Sequence, residues 1–171
     1  TALVPFLTIG FPDIKTSEDL AHVIVGAGGD MLELGVPFSD PLADGPTIQK
    51  TSFHALKQGV NLHSALKMLR RLRQKGIDAP LIFMGYYNPF LCYGINRLAH
   101  DLVNAGADGI IAADLPVEEM GPLKRACETT GLALAPLLAP TSTDLRIAQT
   151  CDAATGFIYC VSLAGTTGAR E

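Results

Sequence analysis

The sequence lacks the features that mark membrane, secreted and nucleic-acid-binding proteins. No apolar run approaches the ~18 residues that a membrane-spanning helix needs, and the first residues show no signal-peptide pattern. The 13 Lys and Arg residues are outnumbered by 17 Asp and Glu residues, which leaves a net charge of -4. A nucleic-acid surface would need clustered positive charge instead. The one dense basic run, residues 67–73, alternates with leucines and is typical of the solvated face of a helix.

Motifs that hold metals, nucleotides or catalytic nucleophiles are also missing. The four cysteines form no CxxC pair, which favours reduced thiols in a cytosol-like compartment. The sequence contains neither a Gly-x4-Gly-Lys-Ser/Thr phosphate loop nor a Gly-x-Ser-x-Gly turn around a nucleophilic serine. We predict no metal site, because no pair with metal-ligand spacing occurs among the four histidines, which all fall in predicted helices: His22, His54, His63 and His100.

Six short apolar runs are the main structural signal in the 171 residues. Each run is nearly continuous instead of alternating with polar residues, as in parallel strands that helices cover. Segments of helical period separate them; the first such helix is predicted to begin with Ser17 as its N-cap, and another spans residues 61–75. The predicted strands cover residues 3–8, 31–35, 81–84, 109–113, 133–138 and 157–161.

This alternation of strand and helix predicts a parallel sheet, either doubly wound or closed into a barrel. A doubly wound dinucleotide-binding sheet should carry a glycine-rich turn after its first strand, and residues 8–13 contain a single glycine. We therefore predict the α/β class and a (β/α)8 TIM barrel. Residues 1–171 would form a single, incomplete barrel domain that covers about strands 1 to 6.

Glu33 is the first candidate catalytic residue. It lies between Leu32 and Leu34 in the second predicted strand, so its side chain points to the face opposite to both leucines. If the leucines pack against helices, the Glu33 carboxylate enters the barrel interior, where burial raises its pKa and suits it to proton transfer. The alternative is a buried carboxylate held by a structural partner.

The loop after this strand, residues 36–46, carries the second candidate. Three prolines stiffen it, and its charged residues are Asp40 and Asp44. A rigid loop that holds carboxylates over the mouth of a barrel is a natural place for catalysis. Asp-Pro and Asp-Gly are also ordinary turn formers, and Asp44 could cap the helix predicted to begin at Thr47. From the pattern alone, the turn interpretation is favoured for Asp44.

Several longer motifs resemble one family, the tryptophan synthase α subunits. The most specific is the run of fourteen residues from Glu33 to Pro46, Glu-Leu-Gly-Val-Pro-Phe-Ser-Asp-Pro-Leu-Ala-Asp-Gly-Pro. Supporting matches follow in the family's order along the chain at residues 4–8, 84–89, 114–119, 138–141, 159–162 and 165–168. The resemblance covers essentially the whole chain.

The resemblance implies a (β/α)8 barrel and a lyase of tryptophan biosynthesis that cleaves indole-3-glycerol phosphate to indole and glyceraldehyde 3-phosphate. Glu33 would be the acid that protonates the indole ring, and Asp44 would hold the indole N–H. The family's substrate-binding positions would correspond to Phe6, Phe83, Ile111, Tyr159, Thr167 and Gly168. Thr167 would close against Asp44, and Gly168 would contact the substrate phosphate.

The resemblance also implies a partner, the tryptophan synthase β subunit, in an α2β2 complex. The residues expected at that interface are Asp40, Pro41 and Pro116. Pyridoxal phosphate would belong to the β subunit, and this chain would hold no cofactor. The expected location is the cytoplasm, or the plastid stroma in a photosynthetic eukaryote. Two alternatives stay open: a free-standing indole-releasing lyase and a non-catalytic subunit that activates the β chain.

Overall fold

The computed structural model describes residues 1–162, in which strands and helices alternate. The strands are β1 (Phe6–Thr8), β2 (Leu32–Gly35), β3 (Leu81–Gly85), β4 (Gly109–Ala112), β5 (Ala133–Leu134), β6 (Leu137–Leu138) and β7 (Tyr159–Cys160). The helices are α1 (Ile14–Gly26), α2 (Pro46–Lys57), α3 (Leu62–Gln74), α4 (Tyr87–Tyr93), α5 (Ile95–Ala105), α6 (Gly121–Thr130) and α7 (Asp144–Ala153). Within residues 1–162, none of these helices is long and apolar enough to cross a membrane.

The strands are parallel and pair in the order in which they occur along the chain. β1 to β5 form one sheet in the order β1-β2-β3-β4-β5, and β6 pairs with β7. A doubly wound sheet would reverse direction at a switch point and show a non-sequential order. The order found here is that of a barrel wall, in agreement with the predicted architecture.

Alternate residues of the strands pack into two separate apolar clusters. Leu32, Leu34 and Ile110 belong to the main core between the sheet and the helices. Ile82 and Ile111 belong to a second cluster. Neighbouring positions on a strand point to opposite faces, so this second cluster lies on the inner face of the barrel wall.

The prediction that Phe83 lines the substrate pocket is wrong. Phe83 is fully buried in the main core, where its ring stacks on that of Phe90 at a centroid distance of 6.2 Å. Its neighbours Ile82 and Met84 are the residues of β3 that belong to the inner cluster. The five residues of β3 begin Leu-Ile-Phe-Met, apolar on both faces, so the sequence carried no signal for which face each side chain takes.

Helix α1 begins four residues before its predicted start. Its N-cap is Asp13, whose carboxylate accepts a hydrogen bond from Thr16 N at 2.8 Å. The predicted cap, Ser17, is instead fully buried inside the helix, and its hydroxyl accepts a hydrogen bond from Gly10 N at 2.9 Å. Ser17 therefore joins the helix to the turn after β1 instead of starting the helix.

The fifth predicted strand, residues 133–138, is divided into β5 and β6. Ala135 N still donates to Ile110 O in β4 at 3.1 Å, but Pro136 has no N–H to continue that ladder. The carbonyl of Pro136 instead accepts from Tyr159 N at 2.9 Å. The chain thus passes from pairing with β4 to pairing with β7 at this proline.

Candidate active site

The Glu33 side chain lies on the inner face of the sheet, level with Phe6 in β1 and Ile82 in β3. Glu33 is 5% exposed, and no hydrogen bond to its carboxylate is found among residues 1–162. Burial raises the pKa of this carboxyl from 4.5 to about 7. An acid with that pKa both gives and accepts a proton near neutral pH.

Asp44 is half-buried at the end of the loop that follows β2. Burial raises the pKa of its carboxyl, and a hydrogen bond from the Tyr86 side chain opposes that rise. The alternative role as a helix cap is wrong, since the N-cap of α2 is Gly45 and no side chain caps that helix. The carbonyl of Asp44 accepts a hydrogen bond from Gln49 Nε2 at 2.9 Å, which holds the backbone here against α2.

Two adjoining cavities bring the carboxylates to a shared region. One has a volume of about 320 Å³ and is lined by Glu33 and Phe6, and the other measures about 390 Å³ and is lined by Asp44 and Met84. Tyr159 lines both. These volumes are in the range of small-molecule sites, which combine mostly apolar walls with a few polar groups. The two carboxylates therefore line cavities that share Tyr159 as a common wall.

Of the predicted substrate-binding residues, Phe6 and Tyr159 line these cavities, and their contact with a substrate stays a prediction. The Phe6 ring covers Gly35, where an added Cβ would come within 2.3 Å of the ring. Ile111 is fully buried in the inner cluster. Burial and the charge of Glu33 both raise the pKa of the Tyr159 phenol. The predicted substrate contacts at Thr167 and Gly168 lie outside the described residues.

The predicted partner-facing residues separate into two groups. Asp40 and Pro116 are exposed, whereas Pro41 is buried, and their contact with a partner stays a prediction. The next residue, Leu42, is 85% exposed. The large apolar side chain that this loop exposes is therefore Leu42, directly after the predicted interface residues Asp40 and Pro41.

Two side chains at the site, Met84 and Tyr86, were not among the predicted substrate-binding residues. Met84 occupies the inner-face position that had been assigned to Phe83, and Tyr86 is buried beside Asp44. Tyr86 lies within a motif that had been noted as a whole, but the reach of its hydroxyl depends on how β3 packs. No group of three or more potential metal ligands occurs in residues 1–162.

Comparisons with known proteins agree along the whole chain. Residues 1–171 match the family model for the tryptophan synthase alpha chain. The tryptophan synthase alpha chain of Roseiflexus castenholzii is 54% identical over 171 residues, which are 100% of this chain and 66% of the relative. The corresponding protein of Geotalea uraniireducens is 49% identical over 169 residues, 99% of this chain and 63% of the relative.

Solved structures give the same result. A Mycobacterium tuberculosis tryptophan synthase structure superimposes with a TM-score of 0.93 at 38% identity, covering 100% of this chain and 66% of that one. The alpha subunit from Legionella pneumophila superimposes with a TM-score of 0.91 at 40% identity, covering 94% and 62%. The chain spans about two thirds of the length of these relatives.

These neighbours are TIM barrels, so the predicted fold class is confirmed. The sequential parallel sheet, the buried glutamate on its inner face and the aspartate on the following loop all occur within the matched region. The chain belongs to the tryptophan synthase alpha chain family.

Proposed function

We propose that the protein to which this chain belongs is a carbon–carbon lyase that carries out the alpha reaction of tryptophan biosynthesis. It would cleave indole-3-glycerol phosphate to indole and glyceraldehyde 3-phosphate by a retro-aldol reaction. The observation that carries the proposal is Glu33: a buried carboxyl with a pKa of about 7 that faces the same region as a second carboxylate. Indole-3-glycerol phosphate is the substrate that the resemblance to the family implies, and membership of the family supports it.

Glu33 would act first as an acid and then as a base. Its proton goes to C3 of the indole ring, and the resulting positive charge spreads to the ring nitrogen. The Glu33 carboxylate then takes the proton of the hydroxyl on the carbon attached to C3. That carbon–carbon bond breaks, its electron pair returns to the ring, and the oxygen becomes the aldehyde of glyceraldehyde 3-phosphate. Glu33 recovers its proton, so the cycle needs no cofactor from this chain.

Asp44 would accept a hydrogen bond from the indole N–H and stabilise the positive charge on the protonated ring. The two carboxyls differ in their surroundings, which supports this division of labour. Glu33 is buried without a hydrogen-bonding side chain among residues 1–162, whereas the Tyr86 hydrogen bond favours the ionised form of Asp44. Phe6 and Tyr159 would flank the apolar ring, and the roles of Thr167 and Gly168 stay predictions.

The β subunit is the proposed partner, and it would bind pyridoxal phosphate and receive the indole. A solved relative from Pyrococcus furiosus, 34% identical with a TM-score of 0.88, is described as a tryptophan synthase a2b2 complex with mutual activation. An α2β2 assembly is proposed here by that analogy. The exposed Asp40, Leu42 and Pro116 at the carboxyl ends of the strands support it. The cytoplasmic location stays a prediction.

The test is Glu33→Gln in the complete protein. Glutamine keeps the shape of the side chain but cannot give a proton, so we expect indole release from indole-3-glycerol phosphate to fall at least about 10³-fold. Glu128→Gln is the matched control, since Glu128 is an exposed glutamate on α6, and it should keep the parental rate. Near-parental indole production by the Glu33→Gln variant would contradict the proposal.

A further inference from the structure

The loop from Val36 to Gly45 has no regular secondary structure, although it carries Asp44. Two short backbone hydrogen bonds shape it from within: Leu42 N to Asp40 O at 2.9 Å, and Asp44 N to Pro41 O at 3.0 Å. These local turns do not attach the loop to the barrel. A carboxylate that must meet a ring nitrogen within a few tenths of an ångström needs an external anchor.

Tyr86 supplies such an anchor. Its hydroxyl oxygen accepts a hydrogen bond from Ala43 N at 3.0 Å, one residue before Asp44. A phenol that accepts through its oxygen still has its own proton to donate. The Asp44 carboxylate lies in reach of that proton, and both side chains line the same small cavity below the loop.

Tyr86 is itself held firmly. It is 5% exposed, and its ring packs against Phe38 at a centroid distance of 5.2 Å. The next residue, Tyr87, donates its backbone N–H to Asp114 Oδ1 at 2.7 Å. Because Asp114 follows β4, the end of β3 is fixed to its neighbour in the sheet at this point. The hydroxyl of Tyr86 thus has a defined position relative to the barrel.

We propose that Tyr86 is a positioning residue for the alpha reaction, which fastens the loop at Ala43 and holds the Asp44 carboxylate toward the substrate. This inference rests on the proposed function. Gln49 holds the backbone carbonyl of Asp44, whereas Tyr86 acts on the carboxylate. The role therefore concerns the orientation and charge of Asp44, and not only the fold of the loop.

The charged groups that face the Tyr86 phenol are Asp44 and Asp114. Burial and these two carboxylates raise the pKa of the phenol, so it stays protonated and remains a donor at every pH of interest. The hydrogen bond lowers the pKa of the Asp44 carboxyl against the effect of burial. Removal of the hydroxyl therefore raises the Asp44 pKa, and activity should be lost at a higher pH on the acidic side.

The experiment is Tyr86→Phe in the complete protein, assayed for indole release between pH 5 and 9. We expect kcat to fall about ten- to a hundredfold, the effect of one hydrogen bond to a charged group, with KM changed less than about threefold. The acidic limb of the kcat profile should move to higher pH. Tyr93→Phe is the matched control: it removes a hydroxyl that donates to Asp101 at 2.6 Å outside the site, and it should leave both readouts unchanged.

Two further measurements separate positioning from folding. In an Asp44→Asn variant, the additional change Tyr86→Phe should lower kcat little further, because the carboxylate on which Tyr86 acts is gone. Replacement of Tyr86 by 3-fluorotyrosine keeps the ring and makes the phenol a stronger donor, so the acidic limb should move to lower pH. This second variant stays informative even if Tyr86→Phe folds poorly.

The outcomes distinguish this inference from the proposed function. If the parent protein releases indole and Asp44→Asn is slow, but Tyr86→Phe keeps the parental kcat and pH profile, the positioning role is wrong and the lyase assignment stands. A rate loss that is the same at every pH and fully additive with Asp44→Asn would also overturn the role of Tyr86. A parent protein that releases no indole contradicts the proposed function itself.

Discussion

At the scale of the residue, two buried glutamates have opposite properties. Glu18 and Glu33 are each 5% exposed. Burial tends to raise the pKa of Glu18, but hydrogen bonds from Lys75 and Arg71 outweigh it, so the pKa of this carboxyl is lowered. Among residues 1–162 no such cation pairs with Glu33, and the pKa of Glu33 is raised to about 7. Glu18 therefore forms a structural ion pair, whereas the raised pKa of Glu33 suits this carboxyl to proton transfer near neutral pH.

Glu33 should make the folded protein less stable as the pH rises. Its pKa is about 7 in the folded state and 4.5 in the unfolded chain. Between these values the unfolded chain has lost the proton that the folded protein keeps, so each rise in pH favours unfolding. The free energy of unfolding should fall by about 3 kcal/mol from pH 4.5 to pH 8 through this group.

Glu33→Gln removes this titration. We expect the variant to be more stable than the parent at pH 8, and its advantage should disappear near pH 4.5. Urea denaturation of both proteins at the two pH values measures the difference. Equal pH dependence in parent and variant would show that Glu33 titrates with an ordinary pKa in the folded state.

At the scale of the element, Arg73 of α3 joins two loops at the amino ends of the strands, the one before β3 and the one before β4. Its guanidinium donates to Gly106 O at 2.7 Å, Ile77 O at 2.6 Å and Ala79 O at 2.8 Å, and it pairs with the carboxylate of Asp108. The prediction that the basic run is a solvated helix face is therefore wrong for this residue. Arginine suits the role because its planar group presents five donors in a fixed geometry.

Arg73→Met should destabilise the protein while it leaves the chemistry intact. The substitution removes the guanidinium that three carbonyls and a carboxylate share as their donor. We expect a loss of about 2–4 kcal/mol in the free energy of unfolding. Arg70→Met is the control, since Arg70 is exposed on the same helix, and it should change stability by less than about 0.5 kcal/mol. Thermal denaturation of both variants and indole release well below the melting temperature are the measurements.

At the scale of the whole molecule, the carboxyl ends of the strands carry both the candidate chemistry and an exposed apolar projection. Leu42 is 85% exposed, two residues before Asp44 in the same stiff loop. Isolated exposed leucines are common on protein surfaces. An exposed leucine so close to a candidate catalytic residue is nevertheless a suitable apolar contact for a partner that binds over the site. A partner bound at Leu42 would act on a position only two residues from Asp44 in the same loop.

Leu42→Asp should weaken association with a tryptophan synthase β chain at least about tenfold, because it places a charge in an apolar contact. Val103→Asp is the control: Val103 is an apolar residue exposed on α5, near the end of that helix remote from the loop. Titration of the complete protein with β chain, followed by the rise in indole release, measures both. Equal affinity of the two variants would place the partner elsewhere, and indole release that ignores added β chain would favour a free-standing lyase.

The sequence by itself determined the features that depend on local order. The alternation of strands and helices, the parallel sheet and the inward direction of Glu33 follow from periodicity, because a residue flanked by buried leucines on a strand must point the other way. The first four residues of β3 are all apolar, so no polar residue shows which face of the strand points inward. The sequence therefore favoured Phe83 as a pocket residue in place of Met84.

Only the tertiary structure decided contacts between residues far apart in the chain. The burial of Pro41 beneath an exposed Leu42, the cavities that join Glu33 and Asp44, and the Tyr86 hydroxyl below the loop depend on how β3 and its helices pack. Local pattern favoured a turn role for Asp44, and the fourteen-residue resemblance alone raised it to a catalytic candidate. Its surroundings now support that role, because burial and a neighbouring phenol are properties of the folded chain and not of the Asp-Gly pair.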